Sequence, residues 1–122
     1  MQLCIIPFLC SVGGTGPLRV GAEFLRQQVG CTVARYSEPG WSNHRDIFLA
    51  AGFTDVQPYL YWDQQGSCVN FPSLISNLKS WPPKTVVILH AQAHNPTGVD
   101  PRSIIDYFTF LRFECMNVYC LQ

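Results

Sequence analysis

Thr85, Val86, Val87, Ile88 and Leu89 form an unbroken β-branched and aliphatic run, and polar side chains take over at once with His90, Gln92, His94, Asn95 and Thr97. A run of this kind, bounded by Pro82-Pro83 before it and Asn95-Pro96 after it, predicts a strand buried on both faces. Such strands belong to parallel sheets covered by helices. Elsewhere the pattern alternates between the two periods. Residues 2–10 read as a strand. Leu18, Gly21, Ala22, Leu25 and Val29 recur at helical spacing and predict a helix over 15–29, with Pro17 in its first turn, where a missing N–H costs nothing, and Gly30 at its end. Residues 31–36 predict a short strand. A second helix is predicted over 43–51, capped by Ser42 or Asn43 and closed by Gly52. Residues 56–62 are strand-like, and Pro58 suits an edge or a bulge better than a central ladder. Residues 63–67 read as a turn, and 72–81 as a third helix broken by Pro82-Pro83. Strand and helix alternating through short loops predict an α/β fold, a partial doubly wound sheet.

In open sheets of this class ligands sit at the carboxyl ends of the strands. The densest polar cluster of the chain, after Leu89, therefore falls where chemistry is expected. Gly13-Gly14-Thr15-Gly16 opens the first helix, and glycines there let backbone N–H groups turn toward an anion at a partly positive helix terminus. An ordinary glycine turn has the same composition. In either case Gly14 is expected to need positive φ or close backbone approach. Trp41 follows Pro39-Gly40 in a loop after a strand, a core residue or a flat platform for a ring. Asn95 carries a neutral amide that donates to an anionic oxygen without adding charge, and before a proline it is equally a turn residue. His90 and His94 are four apart and would share one face of a helix. The strand before them and the proline after them remove that helix, so no metal site is expected.

Composition excludes several classes. Hydrophobic residues make up 48% and charged residues 13% of the 122, a balance that suits the inside of a larger protein better than a free-standing domain. Eight Lys and Arg, scattered singly, offset eight Asp and Glu, so no nucleic-acid surface is implied. Residues 1–10 are apolar but lack a basic start and include Pro7, which makes a poor signal peptide, and they are too few to span a membrane. Cys4, Cys10, Cys31, Cys68, Cys115 and Cys120 are irregularly spaced among apolar neighbours with no C-x-x-C, and read as buried thiols of a reducing compartment.

Three stretches together carry a family resemblance. They are Gly13-Gly14-Thr15-Gly16 followed by Leu18-Arg19, then Glu38-Pro39-Gly40-Trp41-Ser42-Asn43-His44, and then the run from His90 through Asn95-Pro96-Thr97-Gly98 to Pro101. In this order and spacing they resemble the class I pyridoxal-phosphate-dependent aminotransferases, nearest to the aspartate aminotransferases. The resemblance covers about residues 11–101. It implies that residues 1–101 are part of the large cofactor-binding domain of a fold-type I enzyme, and that 102–122 form a divergent C-terminal tail. It also implies a pyridoxal 5'-phosphate cofactor, amino transfer between L-aspartate and 2-oxoglutarate, a homodimer and a cytoplasmic location, with no nucleic acid and no membrane as partner. By the same resemblance Gly13, Gly14 and Thr15 hold the phosphate, Trp41 stacks on the cofactor ring and Asn95 hydrogen-bonds the ring oxygen. Asn43 and His44 lie near the ring and substrate, His90 lies behind the cofactor near the partner of its ring nitrogen, and His94 is a structural neighbour. The family's aspartate enzymes commonly carry Ser where Gly13 stands, so one hydroxyl contact to phosphate is not available here.

In the family the Schiff-base lysine, the carboxylate beside the ring nitrogen and the substrate arginines all come after the third motif. This chain has no matching positions for them, and its only lysines, Lys79 and Lys84, flank Pro82-Pro83. The expectation is a truncated relative without a catalytic lysine, inactive alone, arising as a splice product, a gene-model error or a degraded paralogue. The alternative is a non-catalytic relative acting as a dimerisation partner or a phosphate-binding module. A nucleotide-binding fold is disfavoured, because Gly13-Gly14-Thr15-Gly16 lacks the lysine of a P-loop and the fuller glycine pattern of a dinucleotide site.

Overall fold

The computed structural model describes residues 13–90, 92–101 and 119–121, so the strand expected over 2–10 lies outside the described residues. The described elements are α1 (Thr15–Phe24), a π-helical turn (Leu25–Val29), β1 (Val33–Glu38), α2 (Asn43–Ala50), β2 (Asp55–Leu60), β3 (Trp62–Asp63), β4 (Cys68–Val69), α3 (Phe71–Ser80), β5 (Thr85–Ile88) and β6 (Tyr119–Leu121). Four strands form one sheet in the order β2-β1-β5-β6, and each neighbouring pair is parallel. This is the expected α/β arrangement.

The sheet separates two apolar layers. Alternate residues Val86 and Ile88 of β5 join Ala34 and Val56 beneath Leu18, Ala22, Leu25, Ile47 and Phe48 from α1 and α2. The intervening Val87 and Leu89 face the other way and pack with Tyr59, Tyr61, Leu74 and Leu78 on the α3 side. Every residue from Thr85 to His90 is buried, which accounts for the absence of polar alternation in that run. β2 ends the described order, so Pro58 sits on an edge strand, where its missing N–H leaves no gap in the ladder to β1.

Several boundaries depart from the sequence expectation for local reasons. The first helix loosens into a π-helical turn over its last five residues before Gly30 stops it with φ of 79° in the left-handed region. The first strand begins two residues later than expected, at Val33. Ser42 has helical φ and ψ and makes no side-chain cap, and the turn is closed instead by the His44 N–H donating to the Trp41 carbonyl at 3.1 Å. The third helix is capped by Asn70, whose side-chain oxygen accepts from the Ser73 N–H, with Pro72 in the first turn. The short β3–β4 hairpin within 62–69 was not expected. Cys31 is buried, Cys68 is half-buried, and both are free thiols. No helix among the described residues is long and apolar enough to cross a membrane.

Candidate functional site

Three loops reach one edge of the sheet. β1 and β5 are adjacent and parallel, so the segments after Glu38 and after Ile88 leave from the same carboxyl edge. The first carries Trp41, Asn43 and His44; the second carries His90, His94 and Asn95. α1 precedes β1 and returns to it through a short connection, so it runs antiparallel to the strand and its N-terminus lies at that same edge. Gly13, Gly14 and Thr15 are exposed there. The first-turn N–H groups of a helix have no intrahelical partner and point outward along its axis. Gly13 takes φ of 64°, whereas Gly14 is helical with φ of −72° and ψ of −30°. The expectation placed on Gly14 therefore belongs to Gly13 as regards φ, and a Cβ built on either meets nothing within 4 Å. The turn is an open cradle, not a tight crossing.

Behind the edge runs a series of rings in contact. Half-buried Trp41 meets His44 edge-on, with centroids 5.3 Å apart and planes at 90°. His44, fully buried in the first turn of α2, meets His90 at 5.1 Å and 79°. His90 meets His94 at 4.5 Å. His94 stacks on Tyr61 with centroids 3.7 Å apart and planes within 11°. Strand alternation explains the split: His90 continues the Val86–Ile88 face toward α2, and Tyr61 continues the Tyr59 face toward α3. The imidazoles meet where β5 ends and both faces become accessible to one loop.

That loop is braced internally. The Asp100 carboxylate accepts from the Ala93 N–H at 2.7 Å and the His94 N–H at 2.9 Å. The Gly98 N–H donates to the His94 carbonyl at 2.7 Å. The Thr97 hydroxyl oxygen lies 2.8 Å from His94 Nδ1 and accepts from the Val99 N–H at 3.2 Å. Asn95 is exposed between these braces and precedes a cis peptide bond to Pro96.

Burial keeps the two imidazoles of β5's loop neutral. Desolvation, and then repulsion from His90, pushes His94 down to about 4, against a smaller opposing pull from Asp100. Desolvation, and then His44, pushes His90 down in the same direction. The backbone N–H groups of His94 and Ala93 hold the Asp100 carboxyl below the usual carboxylate range. His90 Nε2 is buried and has no hydrogen-bond partner among the described residues. A buried polar atom left so costs about 1–3 kcal/mol, and its presence at this edge fits a site that receives a polar group.

The donor set suits a flat, phosphorylated aromatic ring. It offers an indole plane half open to solvent, an exposed amide, and a glycine turn at a helix N-terminus. Lys84 lies at the opposite edge, before β5, where its Nζ donates to the Val29 carbonyl at 3.1 Å. Lys79 is in the last turn of α3, which also approaches β5 from that side. No lysine among the described residues lies at the carboxyl edge. Sequence motifs pointed to the Trp41, His44, His90, His94 and Asn95 cluster, and the structure brings the first four into contact. They did not point to Tyr61 or to Ser37, whose Oγ lies 2.9 Å from His94 Nε2. The available signal was the position of both at the carboxyl ends of predicted strands.

Comparison with known proteins bears on this arrangement. A family model described as aminotransferase class I and II matches residues 8–103. Cytoplasmic aspartate aminotransferase of Caenorhabditis elegans is 47% identical over 90 residues, covering 74% of this chain and 22% of that protein. Aspartate aminotransferase of Pseudomonas aeruginosa is also 47% identical over 90 residues, with the same coverage of 74% and 22%. Among solved structures, an aromatic-amino-acid aminotransferase from Burkholderia pseudomallei covalently bound to pyridoxal phosphate superposes with a TM-score of 0.77 at 37% identity, over 88% of this chain and 27% of that one. Aspartate aminotransferase from Trypanosoma cruzi gives 0.76 at 35% identity, over 88% and 28%. The chain spans about a quarter of the length of the relatives it matches.

Proposed function

This chain belongs to the class I and II aminotransferases, and from that premise we propose that it is part of the cofactor-binding domain of an aspartate aminotransferase-like enzyme. Residues 1–101 form the domain portion and 102–122 a divergent tail. The substrates of the complete enzyme are L-aspartate and 2-oxoglutarate, its working form is a homodimer, and its location is the cytoplasm. Pyridoxal 5'-phosphate supplies the electron sink for amino transfer when bound.

The residues of this chain bind and orient. Gly13, Gly14 and Thr15 offer backbone N–H groups to the phosphate at the N-terminus of α1. Trp41 offers a plane for stacking. Asn95 donates its amide N–H to the ring oxygen, holding negative charge there without a cation. Asn43 and His44 lie near the ring and substrate, His90 backs the cofactor near the partner of its ring nitrogen, and His94 anchors the loop that carries Asn95. The observation that carries the reading is the placement of the Trp41 and Asn95 loops on adjacent parallel strands, at the edge to which the glycine turn of α1 also returns. Covalent attachment needs a lysine, and no lysine among the described residues lies at this edge; by the resemblance, the arginines for the substrate carboxylates belong to positions after the third motif. The chain alone is therefore a binding scaffold and does not transaminate.

The test uses the full chain with pyridoxamine 5'-phosphate, followed by quenching of tryptophan fluorescence, together with an assay on aspartate and 2-oxoglutarate. Saturable binding, weakened roughly tenfold by Asn95→Ala and unaccompanied by turnover, supports the reading. Labelling with pyridoxal 5'-phosphate and borohydride should scatter over Lys79 and Lys84. A single stoichiometric lysine adduct with turnover above the free-cofactor rate overturns it, as does absence of saturable binding.

A further inference from the structure

We propose that Tyr61 is the positioning residue for Asn95, setting the height and tilt of the amide over the ring oxygen it is to meet; this rests on the cofactor-binding reading above. Tyr61 grips the loop on both sides of Asn95. Its ring lies flat on the imidazole of His94, one residue before, at 3.7 Å and 11°. Its hydroxyl donates to the carbonyl of Val99, four residues after, at 2.8 Å. Both stems of the loop thus hang on one rigid phenol.

The phenol is itself fixed to the sheet. The Tyr61 N–H donates to the Glu38 carbonyl at 3.0 Å, continuing the β1–β2 ladder, and its carbonyl accepts from the Asn70 N–H at 2.8 Å. Tyr61 and His94 are each 1% exposed, so neither ring has room to turn. The other braces of the loop, from Asp100, Gly98 and Thr97, are internal to residues 93–100 and would move with it as a body. Ser37 Oγ, 2.9 Å from His94 Nε2, restrains the imidazole within its plane. Stacking restrains it across the plane, so that with Ser37 and Tyr61 together the residue preceding Asn95 is held in all directions. A hydrogen bond is strongly sensitive to displacement, so the loop's seat on Tyr61 decides whether the amide reaches its acceptor.

The two functions of the side chain separate by substitution. Tyr61→Phe keeps the stack and loses the Val99 contact, and Tyr61→Leu loses both. Each full-chain variant is titrated with pyridoxamine 5'-phosphate and with its 3-deoxy analogue, which lacks the ring oxygen that Asn95 is to contact. Thermal melts establish that each variant is folded, and Tyr61→Phe serves where Tyr61→Leu is not. Expected is a loss of roughly tenfold in affinity for the 3-hydroxy ligand with Tyr61→Leu, about the value of one hydrogen bond, and a smaller loss with Tyr61→Phe. Affinity for the 3-deoxy ligand should be unchanged. Equal losses for both ligands would reduce Tyr61 to a structural residue and overturn the proposal, as would unchanged affinity for both. A wild-type chain that binds neither ligand would instead remove the cofactor-binding reading on which the proposal stands.

Discussion

His94 Nε2 lies 2.9 Å from the hydroxyl of Ser37, a residue 57 positions earlier in the chain, and both side chains are buried. The contact ties the loop after β5 to the end of β1. With Thr97 Oγ1 at 2.8 Å from Nδ1, each ring nitrogen has a hydroxyl partner that can donate or accept, which suits a neutral imidazole of either tautomer.

A pH dependence follows. The folded His94 titrates at about 4 against an ordinary value of 6.5. Between those values the unfolded chain takes up a proton that the folded chain refuses, so stability is full above about 6.5 and falls as the pH drops toward 4. His90 shifts the same way. Urea denaturation from pH 7.5 down to 5 should show a loss on the order of 1–3 kcal/mol, and His94→Gln should flatten the dependence. An unchanged slope in that variant would assign the effect elsewhere.

Gly40 has no room for a side chain. A Cβ there would lie 2.1 Å from the Ser37 carbonyl oxygen and 2.8 Å from Ser37 Oγ. Backbone would have to move, and Ser37 is the residue that meets His94. Gly40→Ala should cost about 1–3 kcal/mol, measurable as a lower denaturation midpoint, and should shift the Trp41 emission. A variant as stable as the parent would mean that the loop after β1 yields freely.

Gly13 and Gly14 should respond oppositely. Gly13→Ala places a side chain at φ of 64° and should destabilise by about 1–2 kcal/mol. Gly14→Ala meets open space at helical φ and should be neutral or stabilising by roughly 0.5–1 kcal/mol. Melting temperatures in the reverse order would contradict the conformations of this turn. A larger side chain, as in Gly14→Val, should leave the melt nearly intact while weakening the binding of pyridoxamine 5'-phosphate.

Asp100→Asn removes the charge that the N–H groups of Ala93 and His94 share. Because the carboxylate is largely open to solvent and Asn keeps an acceptor, an expected loss of about 0.5–1 kcal/mol should appear at neutral pH. Because the folded carboxyl titrates below its ordinary 3.8, the parent keeps this stabilisation above that value and loses it as the pH falls through the folded one. Parent and variant should therefore converge in strong acid, and a gap that persists there would point to a cause other than the carboxylate.

The buried run at 85–89, the three helices and the edge position of the Pro58 strand were readable along the chain, because hydrophobic period, proline and glycine act within a few residues. The location of the polar cluster at a carboxyl edge was readable for the same reason, and the three ordered motifs placed the chain in its family. The β3–β4 hairpin escaped, since strands of two residues have no period to detect. The Ser37–His94 and Tyr61–His94 contacts escaped for a different reason. They join residues 57 and 33 positions apart, and nothing local to Ser37 or Tyr61 distinguishes them from other strand-end residues. Which side chains meet depends on β2, β1 and β5 lying side by side in parallel, and on the register that turns Ser37 and Tyr61 toward α3 while His90 turns toward α2. One residue of slip would exchange the faces, so the partners of His94 are a property of the assembled sheet.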